Sequence, residues 1–441
     1  MLLYQNIFSS TPIILDEMSG VYSTFKNLWI WRYLGDRVSW YFKVSVNELP
    51  AKYLIAKRTP VPLDRVSDFT IEEGLRIYEK YTEEFLKIKR DVENGLQLSR
   101  LEIPRYSLLD LAKDLVWKIV RSCRFCRWGC KIDRVKGDRL GACMLTTESR
   151  VSSYFHHLGE ELIFRGTHGS GTIFFTSCNM RCLFCQNSDI SRDRFNGIPV
   201  TPRQLAQMAY LLRIEGSHNI NWVGGEPTPH IHNIVTAIWH LAYEGFKLRP
   251  SEEDLDVILR VKHDFFLYPY DIRYAYYQGE FNVPMLFNTN TFLSRESLII
   301  LRPLIDIWLP DFKYGPGKCS IRLSRTPWYW ETVTENLKIL YDWGENIVIR
   351  HLILPNHVEC CSKPIIDWIS KNIPETPVNL MDQYRPEHQA DPSSPIFSKD
   401  AYDIARRPTR DELHEVWRYA EERGLIFKEI TFEKKGYTPR D

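Results

Sequence analysis

An alternation of apolar and amphipathic segments between residues 172 and 381 constrains the fold of this 441-residue chain most strongly. Short apolar segments, each predicting a β-strand, are separated by longer segments whose apolar residues recur with helical spacing. A repeat of this kind predicts parallel β-α-β units. Six units fit either an open, doubly wound sheet or an incomplete (β/α) barrel. The predicted strands cover residues 172–176, 219–223, 284–288, 305–309, 347–354 and 378–381.

The alternation divides the chain into four predicted parts. Residues 1–115 form an N-terminal region without motifs, which we expect to be mostly helical. Residues 116–165 form a cysteine-rich segment, which we expect to bind a metal ion or an Fe–S cluster. Residues 166–385 contain the alternating units, interrupted by an aromatic and charged insertion at 247–282, and residues 386–441 form a C-terminal extension.

The composition is that of an ordinary globular protein, with 44% hydrophobic and 26% charged residues. The net charge of +1 argues neither for nor against nucleic-acid binding, because a local basic patch can exist within a balanced total. No apolar run approaches the roughly 20 residues that span a bilayer. The first residues also lack the basic region and apolar core of a signal peptide. We therefore expect a cytoplasmic protein without a membrane span.

Seven of the ten cysteines fall into two clusters with short gaps, which is the spacing of metal ligands rather than of disulfides. The other three lie apart in the sequence, and we interpret them as structural or incidental thiols. The first cluster contains Cys123, Cys126, Cys130 and Cys143, and the second contains Cys178, Cys182 and Cys185. The three remaining cysteines are Cys319, Cys360 and Cys361.

The second cluster predicts an open metal site. Cys178, Cys182 and Cys185 can hold three corners of a [4Fe–4S] cube, whereas four thiolates would close it. An open corner can bind a substrate, as in catalytic metal sites. The loop follows the first predicted strand, and (β/α) barrels form their active sites at the carboxyl ends of the strands. A zinc site completed by His168 is the alternative, although zinc sites usually combine two two-ligand knuckles.

Polar residues also follow the next predicted strands. Glu226, preceded by Gly224 and Gly225, can pair with a ligand ammonium. Asp311 and Lys313 follow a later strand, where the lysine can neutralise a ligand carboxylate. Taken singly, the Gly-Gly-Glu motif is more often a simple turn, and an Asp–Lys pair on a surface turn is usually just solvated.

Two further elements complete this group. Asn288, Thr289 and Asn290 can bind ribose hydroxyls or a carboxylate. Arg350 and His351 lie within an apolar strand, where a charged pair needs a partner. A neutral histidine satisfied by the backbone is the alternative for His351. Together, the strand ends predict a pocket for a sulfonium amino acid nucleoside.

The first cysteine cluster predicts a closed site. Cys123, Cys126, Cys130 and Cys143 supply four thiolates within 21 residues, so the site should be structural or electron-transferring. Zinc and a second [4Fe–4S] cluster use the same ligand set, and both remain open.

The stretch Cys178-Asn-Met-Arg-Cys182-Leu-Phe-Cys185 resembles the motif of the radical S-adenosylmethionine (SAM) superfamily. Gly224-Gly225-Glu226 resembles that family's site for the methionine amine. Residues 171–182, 309–314, 350–355 and 379–384 resemble pyruvate formate-lyase activating enzyme and its uncharacterised relatives with an added N-terminal cysteine-rich segment. The resemblance extends over residues 123–384.

The resemblance implies an α/β fold, a partial (β/α)6 TIM-type barrel with a radical SAM core. It implies an oxidoreductase that binds a [4Fe–4S] cluster and SAM and makes a 5′-deoxyadenosyl radical, which abstracts hydrogen from a large substrate. Glu226 would meet the methionine ammonium, and Asn288, Thr289, Asp311 and Lys313 would line the ribose and carboxylate side. No residue beyond the cluster ligands is expected to be catalytic.

The implied partners are a one-electron donor of ferredoxin or flavodoxin type and a protein or RNA substrate. Two alternative functions remain. One is the activation of a glycyl-radical enzyme, as in the pyruvate formate-lyase system. The other is a non-catalytic Fe–S or zinc binding module that has kept only the fold.

Overall fold

The structure is a computed structural model that describes residues 25–62, 69–263 and 272–436. Its strands in these residues are β1 (Ser149–His157), β2 (Ser170–Phe175), β3 (Ile198–Val200), β4 (Ile220–Gly224), β5 (Tyr276–Tyr277), β6 (Glu280–Phe281), β7 (Met285–Thr289), β8 (Ile307–Pro310), β9 (Ile349–Leu352) and β10 (Val378–Met381).

The helices that precede β4 are α1 (Ile30–Leu34), α2 (Ser39–Ser45), α3 (Lys52–Ala56), α4 (Ile71–Glu93), α5 (Leu108–Ile119), α6 (Leu162–Arg165), α7 (Ser188–Arg192) and α8 (Pro202–Ile214). Those that follow it are α9 (Ile231–Glu244), α10 (Glu252–Leu259), α11 (Arg295–Leu301), α12 (Cys319–Ser324), α13 (Tyr329–Asp342), α14 (Lys363–Asn372), α15 (Arg410–Glu422) and α16 (Lys428–Thr431).

Six parallel strands form the centre of the fold. β2, β4, β7 and β8 pair in parallel in that order, and β9 pairs in parallel with β10. Parallel bridges from Trp308 to Ile347 and from Asp311 to Arg350 connect β8 to β9. The strands therefore follow one another in chain order with helices between them, which confirms the α/β, partial (β/α)6 barrel.

An antiparallel extension lies beside β2. β1 pairs with β2 on one side and with β3 on the other, both antiparallel. β1 falls within the segment predicted only as cysteine-rich. Its alternation of buried and partly exposed positions includes Ser and His, so it lacks the continuous apolar run of a buried parallel strand.

Local capping signals set several helix starts. Thr201 and Ser294 cap α8 and α11 by accepting hydrogen bonds from backbone N–H groups, and Pro202 occupies the first turn of α8. α4 begins with a capping box between Thr70 and Glu73. These signals depend on residues within one turn, so they are readable from the sequence.

The N-terminal helices α1–α5 pack against the barrel through a buried carboxylate. Asp306, just before β8, accepts hydrogen bonds at Oδ1 from Trp40 Nε1 (2.8 Å) and from the Lys52 backbone N–H (3.0 Å). Its Oδ2 accepts from the Met285 backbone N–H at 2.8 Å. One side chain thus joins α2, α3 and β7.

The C-terminal extension differs from its predicted secondary structure. The sequence from Leu425 to Thr431 predicts one more strand. This prediction is wrong, because the chain forms the short helix α16 there. Backbone N–H groups of β10 bond instead to the Ile426 carbonyl (2.8 Å) and to the Thr431 hydroxyl (2.9 Å). The open edge of β10 is therefore satisfied without a further strand.

Two sequence predictions concern the insertion and membrane association. The described part of the insertion contains α10 and the short pair β5–β6, whereas Tyr268 and Tyr270 lie outside the described residues. Within the described ranges, none of the helices combines the length and apolarity needed to cross a membrane.

Candidate cofactor site

A cavity of about 620 Å³ lies at the carboxyl ends of the parallel strands. This volume falls in the range of about 300–1,000 Å³ that is typical of small-molecule sites. The cavity brings together the cysteine triplet and the polar residues of the following loops. The predicted residues that line it are Cys178, Cys182, Cys185, Gly224, Gly225, Glu226, Asn288, Thr289, Asn290, Asp311 and Lys313.

Each thiol of the triplet has a polar neighbour at hydrogen-bonding distance. Burial raises the pKa of the Cys178 and Cys185 thiols, so these thiolates require compensation from hydrogen bonds and from a bound cation. Hydrogen bonds to sulfur are one means by which proteins tune Fe–S ligands. The contacts are Met180 N to Cys178 Sγ (3.3 Å), Ser324 Oγ to Cys182 Sγ (3.0 Å) and Ser191 Oγ to Cys185 Sγ (3.2 Å).

Two cationic side chains lie beside the triplet. Arg192 donates to the Cys182 carbonyl at 2.8 Å, and burial lowers the pKa of its guanidinium. Lys313 Nζ lies 2.5 Å from Asp311 Oδ2. Burial would lower the pKa of Lys313, but the Asp311 carboxylate and the Cys182 thiol together raise it. These positive charges suit a site that gathers three thiolates.

Gly224 and Gly225 are required by close packing against the cluster loop. A Cβ at Gly224, which has φ +130°, would lie 2.1 Å from Phe175 N. A Cβ at Gly225 would lie 2.0 Å from the Ser177 carbonyl oxygen. Neither position admits a side chain, because backbone atoms occupy the space. The glycines therefore allow the β4 loop to contact the residues just before Cys178.

Glu226 is a buried carboxylate, 2% exposed, with a fixed orientation. Its Oε1 accepts hydrogen bonds from the Thr228 backbone N–H (3.2 Å) and the Thr289 hydroxyl (2.6 Å), and its Oε2 accepts from Asn290 N (2.8 Å). Burial raises the pKa of Glu226, while these hydrogen bonds oppose the shift. A bound ammonium at the cavity would compensate the buried charge.

The Asn288–Asn290 tripeptide has divided roles. Thr289 bonds to Glu226, as described above. Asn290 Nδ2 donates to Asn179 Oδ1 at 2.7 Å and lies 3.7 Å from Cys178 Sγ. These two side chains thus brace neighbouring site residues. The ribose contacts predicted for the tripeptide stay a prediction.

His351 is not brought into the cavity. It is 1% exposed, and its ring nitrogens lie 2.8 Å from the Phe312 carbonyl and 2.8 Å from Ser362 Oγ. Burial lowers its pKa to about 4, so the ring is neutral near pH 7. The prediction that His351 binds the cofactor is therefore corrected, because adjacent residues of a strand point to opposite faces and Arg350 occupies the cavity face.

Arg350 finds its charge partners in Glu160 and Glu161, which line the cavity with it. Its Nε donates to Glu161 Oε1 at 2.8 Å, and its Nη2 also contacts Glu160. Burial would raise the pKa of Glu160, but Arg350 holds it well below its usual range. Sequence reasoning missed both glutamates, because they belong to no motif and meet Arg350 only across 190 residues of chain.

The first cysteine cluster forms a second, smaller site beside the triplet. Cys123, Cys126, Cys130 and Cys143 line one cavity. The carbonyl of Cys143 accepts a hydrogen bond from the Ser177 hydroxyl, directly before Cys178.

Two further bonds join the cysteine-rich segment to the triplet loop. Arg181 donates to the Ala142 carbonyl at 2.6 Å, and Trp128 Nε1 donates to the Asn179 carbonyl at 2.7 Å. His168, the alternative fourth ligand of the triplet, instead packs with its ring edge-on to His218, and it does not line the triplet's cavity.

Comparison with known proteins identifies the family of the chain. Residues 172–369 match the radical SAM superfamily. The chain is 32% identical over 391 residues to an uncharacterised protein of Methanocaldococcus jannaschii, covering 87% of this chain and 97% of the relative. The chain therefore belongs to the radical SAM superfamily. Membership implies an enzyme that uses a [4Fe–4S] cluster and SAM.

Solved structures offer a more distant likeness. The chain is 14% identical to Streptococcus suis SuiB bound to its precursor peptide SuiA, with a TM-score of 0.36, over 57% of this chain and 46% of that one. SuiB bound to S-adenosylmethionine gives a TM-score of 0.35 at 14% identity, over 57% of this chain and 48% of that one. The chain spans less than half the length of SuiB.

Proposed function

We propose that this protein is a radical SAM oxidoreductase whose cluster is held by Cys178, Cys182 and Cys185. One observation carries the proposal. The three hydrogen-bonded thiols and the buried carboxylate of Glu226 line the same cavity. When bound, a reduced [4Fe–4S] cluster and SAM supply one-electron cleavage of the sulfonium to methionine and a hydrogen-abstracting 5′-deoxyadenosyl radical.

The side chains of the cavity orient the cofactor and exclude water. Glu226, fixed by Thr289 and Asn290, would receive the methionine ammonium as a charge-assisted pair. Asn288, Asp311 and Lys313 would face the ribose and carboxylate. Burial strengthens the interactions of Glu226 and Asn288 most, because Asp311 and Lys313 are partly exposed.

The cysteine-rich segment would either pass electrons to the open cluster or hold the triplet loop in place. Its carbonyl groups at Ala142 and Cys143 bond directly to Arg181 and Ser177 of the triplet loop. A second [4Fe–4S] cluster there would lie on a route from an external one-electron donor of ferredoxin or flavodoxin type, whereas zinc would only fix the loop. None of the ten cysteines, all of which lie in the described residues, forms a disulfide, which supports the proposal of a reducing, cytoplasmic location.

The size of the cavity favours a large substrate. A volume of about 620 Å³ is suited to one drug-sized ligand, so SAM would fill much of it. The reacting group of the substrate would then enter at the rim while most of the substrate stays outside, as a protein or RNA could. A glycyl-radical enzyme would be one such protein, and its activation is the second candidate.

Anaerobic reconstitution with iron and sulfide, followed by reduction and assay for 5′-deoxyadenosine, tests the proposal. Wild-type protein should release 5′-deoxyadenosine, and Cys182→Ala should lose that product together with the iron of the open cluster. A reduced, iron-loaded wild-type protein that makes none would indicate a binding module without enzymatic activity.

A charge variant tests the role of Glu226. Glu226→Gln keeps the size of the side chain but removes its charge, so we expect SAM to bind about tenfold more weakly or worse. Glu421→Gln, which removes an exposed carboxylate on α15, is the matched control and should bind SAM as wild type does. Equal SAM affinity of the two variants would contradict the assigned ammonium site.

A further inference from the structure

The three remaining cysteines converge with a histidine. The Sγ atoms of Cys319, Cys360 and Cys361 and one ring nitrogen of His357 all lie within 4.8 Å of one another. Cys319 Sγ lies 3.7 Å from Cys360 Sγ, which lies 3.9 Å from Cys361 Sγ. His357 Nδ1 lies 3.3 Å from Cys360 Sγ and 3.4 Å from Cys361 Sγ. We propose that these four residues form a structural Zn²⁺ site, separate from both cysteine clusters.

Four of the six ligand-to-ligand distances are close to the edges of a zinc tetrahedron, and the other two, from Cys319 to Cys361 and from Cys319 to His357, are at most 4.8 Å. Zn–S bonds of about 2.3 Å and Zn–N bonds of about 2.05 Å place two sulfurs about 3.8 Å apart, and a sulfur and a nitrogen about 3.6 Å apart. The Cys319–Cys360 and Cys360–Cys361 distances agree with the first value, and the two contacts of His357 lie slightly below the second. Three thiolates and one imidazole form a Cys₃His set, which is a common structural zinc site. A [4Fe–4S] cube would place each ligand on a different iron and spread the ligands further.

The histidine is oriented by a second layer of charges. His357 Nε2, the nitrogen that faces away from the thiols, lies 3.2 Å from Asp403 Oδ2. Arg322 binds both carboxylate oxygens of Asp403, at 2.6 and 2.7 Å, and also lies 3.2 Å from Nε2. Because a guanidinium offers only donors, an Nε2 proton must go to Asp403. A carboxylate that holds the far nitrogen leaves Nδ1 free to bind the metal, as in known zinc sites.

The fold brings these ligands together from two loops. Cys319 begins α12 after β8, whereas His357, Cys360 and Cys361 lie at a π-helical turn (Val358–Ser362) after β9. The two loops touch at Gly315, where a Cβ would lie 2.1 Å from the Cys360 carbonyl oxygen. π-helical turns often mark functional positions because they redirect side chains.

The proposed ion would position the cofactor loop. α12 carries Cys319 at its first residue and Ser324 at its last, and Ser324 Oγ donates to Cys182 Sγ. The carbonyls of Leu323 and Ser324 also accept from the backbone N–H groups of Leu183 (2.8 Å) and Arg181 (3.0 Å). Zinc at one end of α12 would thus hold the other end against the cluster loop. This role concerns structure and does not depend on the proposed radical chemistry.

Metal analysis of the whole chain tests the site. Wild-type protein and the Cys319→Ser and Cys360→Ser variants would be purified anaerobically, and zinc and iron would be measured per chain. Each variant should carry one zinc fewer than wild type. Tyr402→Ser, which changes an 80% exposed side chain next to Asp403, is the control and should keep the wild-type zinc content. Unchanged zinc in both cysteine variants, or a loss of iron instead of zinc from this site, would overturn the proposal.

Thiol mapping on the wild-type chain gives an answer even where a variant fails to fold. Cys360 is exposed, so an alkylating reagent can reach it. Cys319 and Cys360, the two thiols of the site that are not buried, should resist alkylation in the zinc-loaded protein, react after treatment with a chelator, and be protected again by added Zn²⁺. Equal alkylation before and after chelation, or protection that only a reductant removes, contradicts a zinc site.

Discussion

The hydroxyl of Thr289, at the end of β7, donates a 2.6 Å hydrogen bond to the carboxylate of Glu226, in the loop after β4. The bond joins the ends of two neighbouring strands around one buried charge. Asn290 N donates to the other carboxylate oxygen, so both oxygens are held before any ligand arrives. A carboxylate oriented in this way loses little entropy on binding a cation.

Removal of the Thr289 hydroxyl should weaken SAM binding without removing the cluster. A hydrogen bond to a charged group contributes about 1.5–3 kcal/mol. Thr289→Val keeps the shape of the side chain but loses the donor, so we expect roughly a tenfold rise in the dissociation constant. This dissociation constant is measured by equilibrium binding of SAM to the iron-loaded protein. Thr289→Ser keeps the hydroxyl and should bind SAM as wild type does, and a valine variant with wild-type affinity would disprove the role of this bond.

A methyl group at Gly225 should disrupt the cluster loop. Gly225→Ala places a Cβ 2.0 Å from the Ser177 carbonyl oxygen, so the backbone before Cys178 must move. We expect the variant to lose most of the iron of the open cluster on reconstitution. Gly344→Ala is the matched control, because Gly344 has φ +69° and open space around it. We expect Gly344→Ala to lose about 1–2 kcal/mol of stability, because an alanine is strained at this φ, but to keep its iron. Similar iron contents in the two variants would refute the packing argument.

Loss of Arg350 should strongly destabilise the barrel. Glu160 and Glu161 are about 5% exposed and depend on Arg350 for charge compensation. Breaking a buried ion pair from one side typically costs about 3–5 kcal/mol, because the remaining charge is uncompensated. Urea unfolding of Arg350→Met should show a loss of this size, and the triple variant Arg350→Met/Glu160→Gln/Glu161→Gln should recover much of it. A single variant as stable as wild type would rule out this dependence.

The stability of the N-terminal contact should fall as pH rises. Burial raises the pKa of Asp306 to about 6, above its ordinary value of 3.8, while the bonds from Met285 and Lys52 oppose the shift. The folded state therefore favours the protonated form. The contribution of Asp306 to the stability of the folded protein is therefore complete below about pH 4 and is lost as pH rises through 6.

Between pH 5 and 7, this loss should amount to about 1 kcal/mol in the free energy of unfolding. Asp306→Asn cannot ionise, so it should lack this component of the pH dependence. The amide NH₂ of this variant cannot accept a hydrogen bond, so one of the three N–H groups should lose its partner. We expect this loss to lower the stability of the variant by about 1–3 kcal/mol overall. Denaturant unfolding across this pH range compares the two proteins, and parallel pH profiles would argue against the shifted carboxyl.

The most predictable parts of the protein are those whose determinants lie close together in the chain. The triplet from Cys178 to Cys185 spans eight residues. Capping at Thr201 and Ser294 involves a single helical turn. The parallel strands were readable because burial on both faces requires continuous apolar runs. By contrast, the structures of β1 and α16 depend on which distant segments are close enough to form hydrogen bonds with their backbones. Short-range sequence patterns carry no information about those distant segments.

The sequence by itself determined the order of strands and helices, the open cysteine triplet and the gathering of polar residues at the strand ends. Only the tertiary structure decided that Arg350 rather than His351 faces the cavity, since one residue of register exchanges the faces of a strand. It also decided that Cys319 meets His357 and Cys360 across about 40 residues of chain. Ligands that lie a few residues apart form a motif that can be recognised in the sequence. Contacts between separate loops form only when the barrel brings the loops together, so no local motif predicts them.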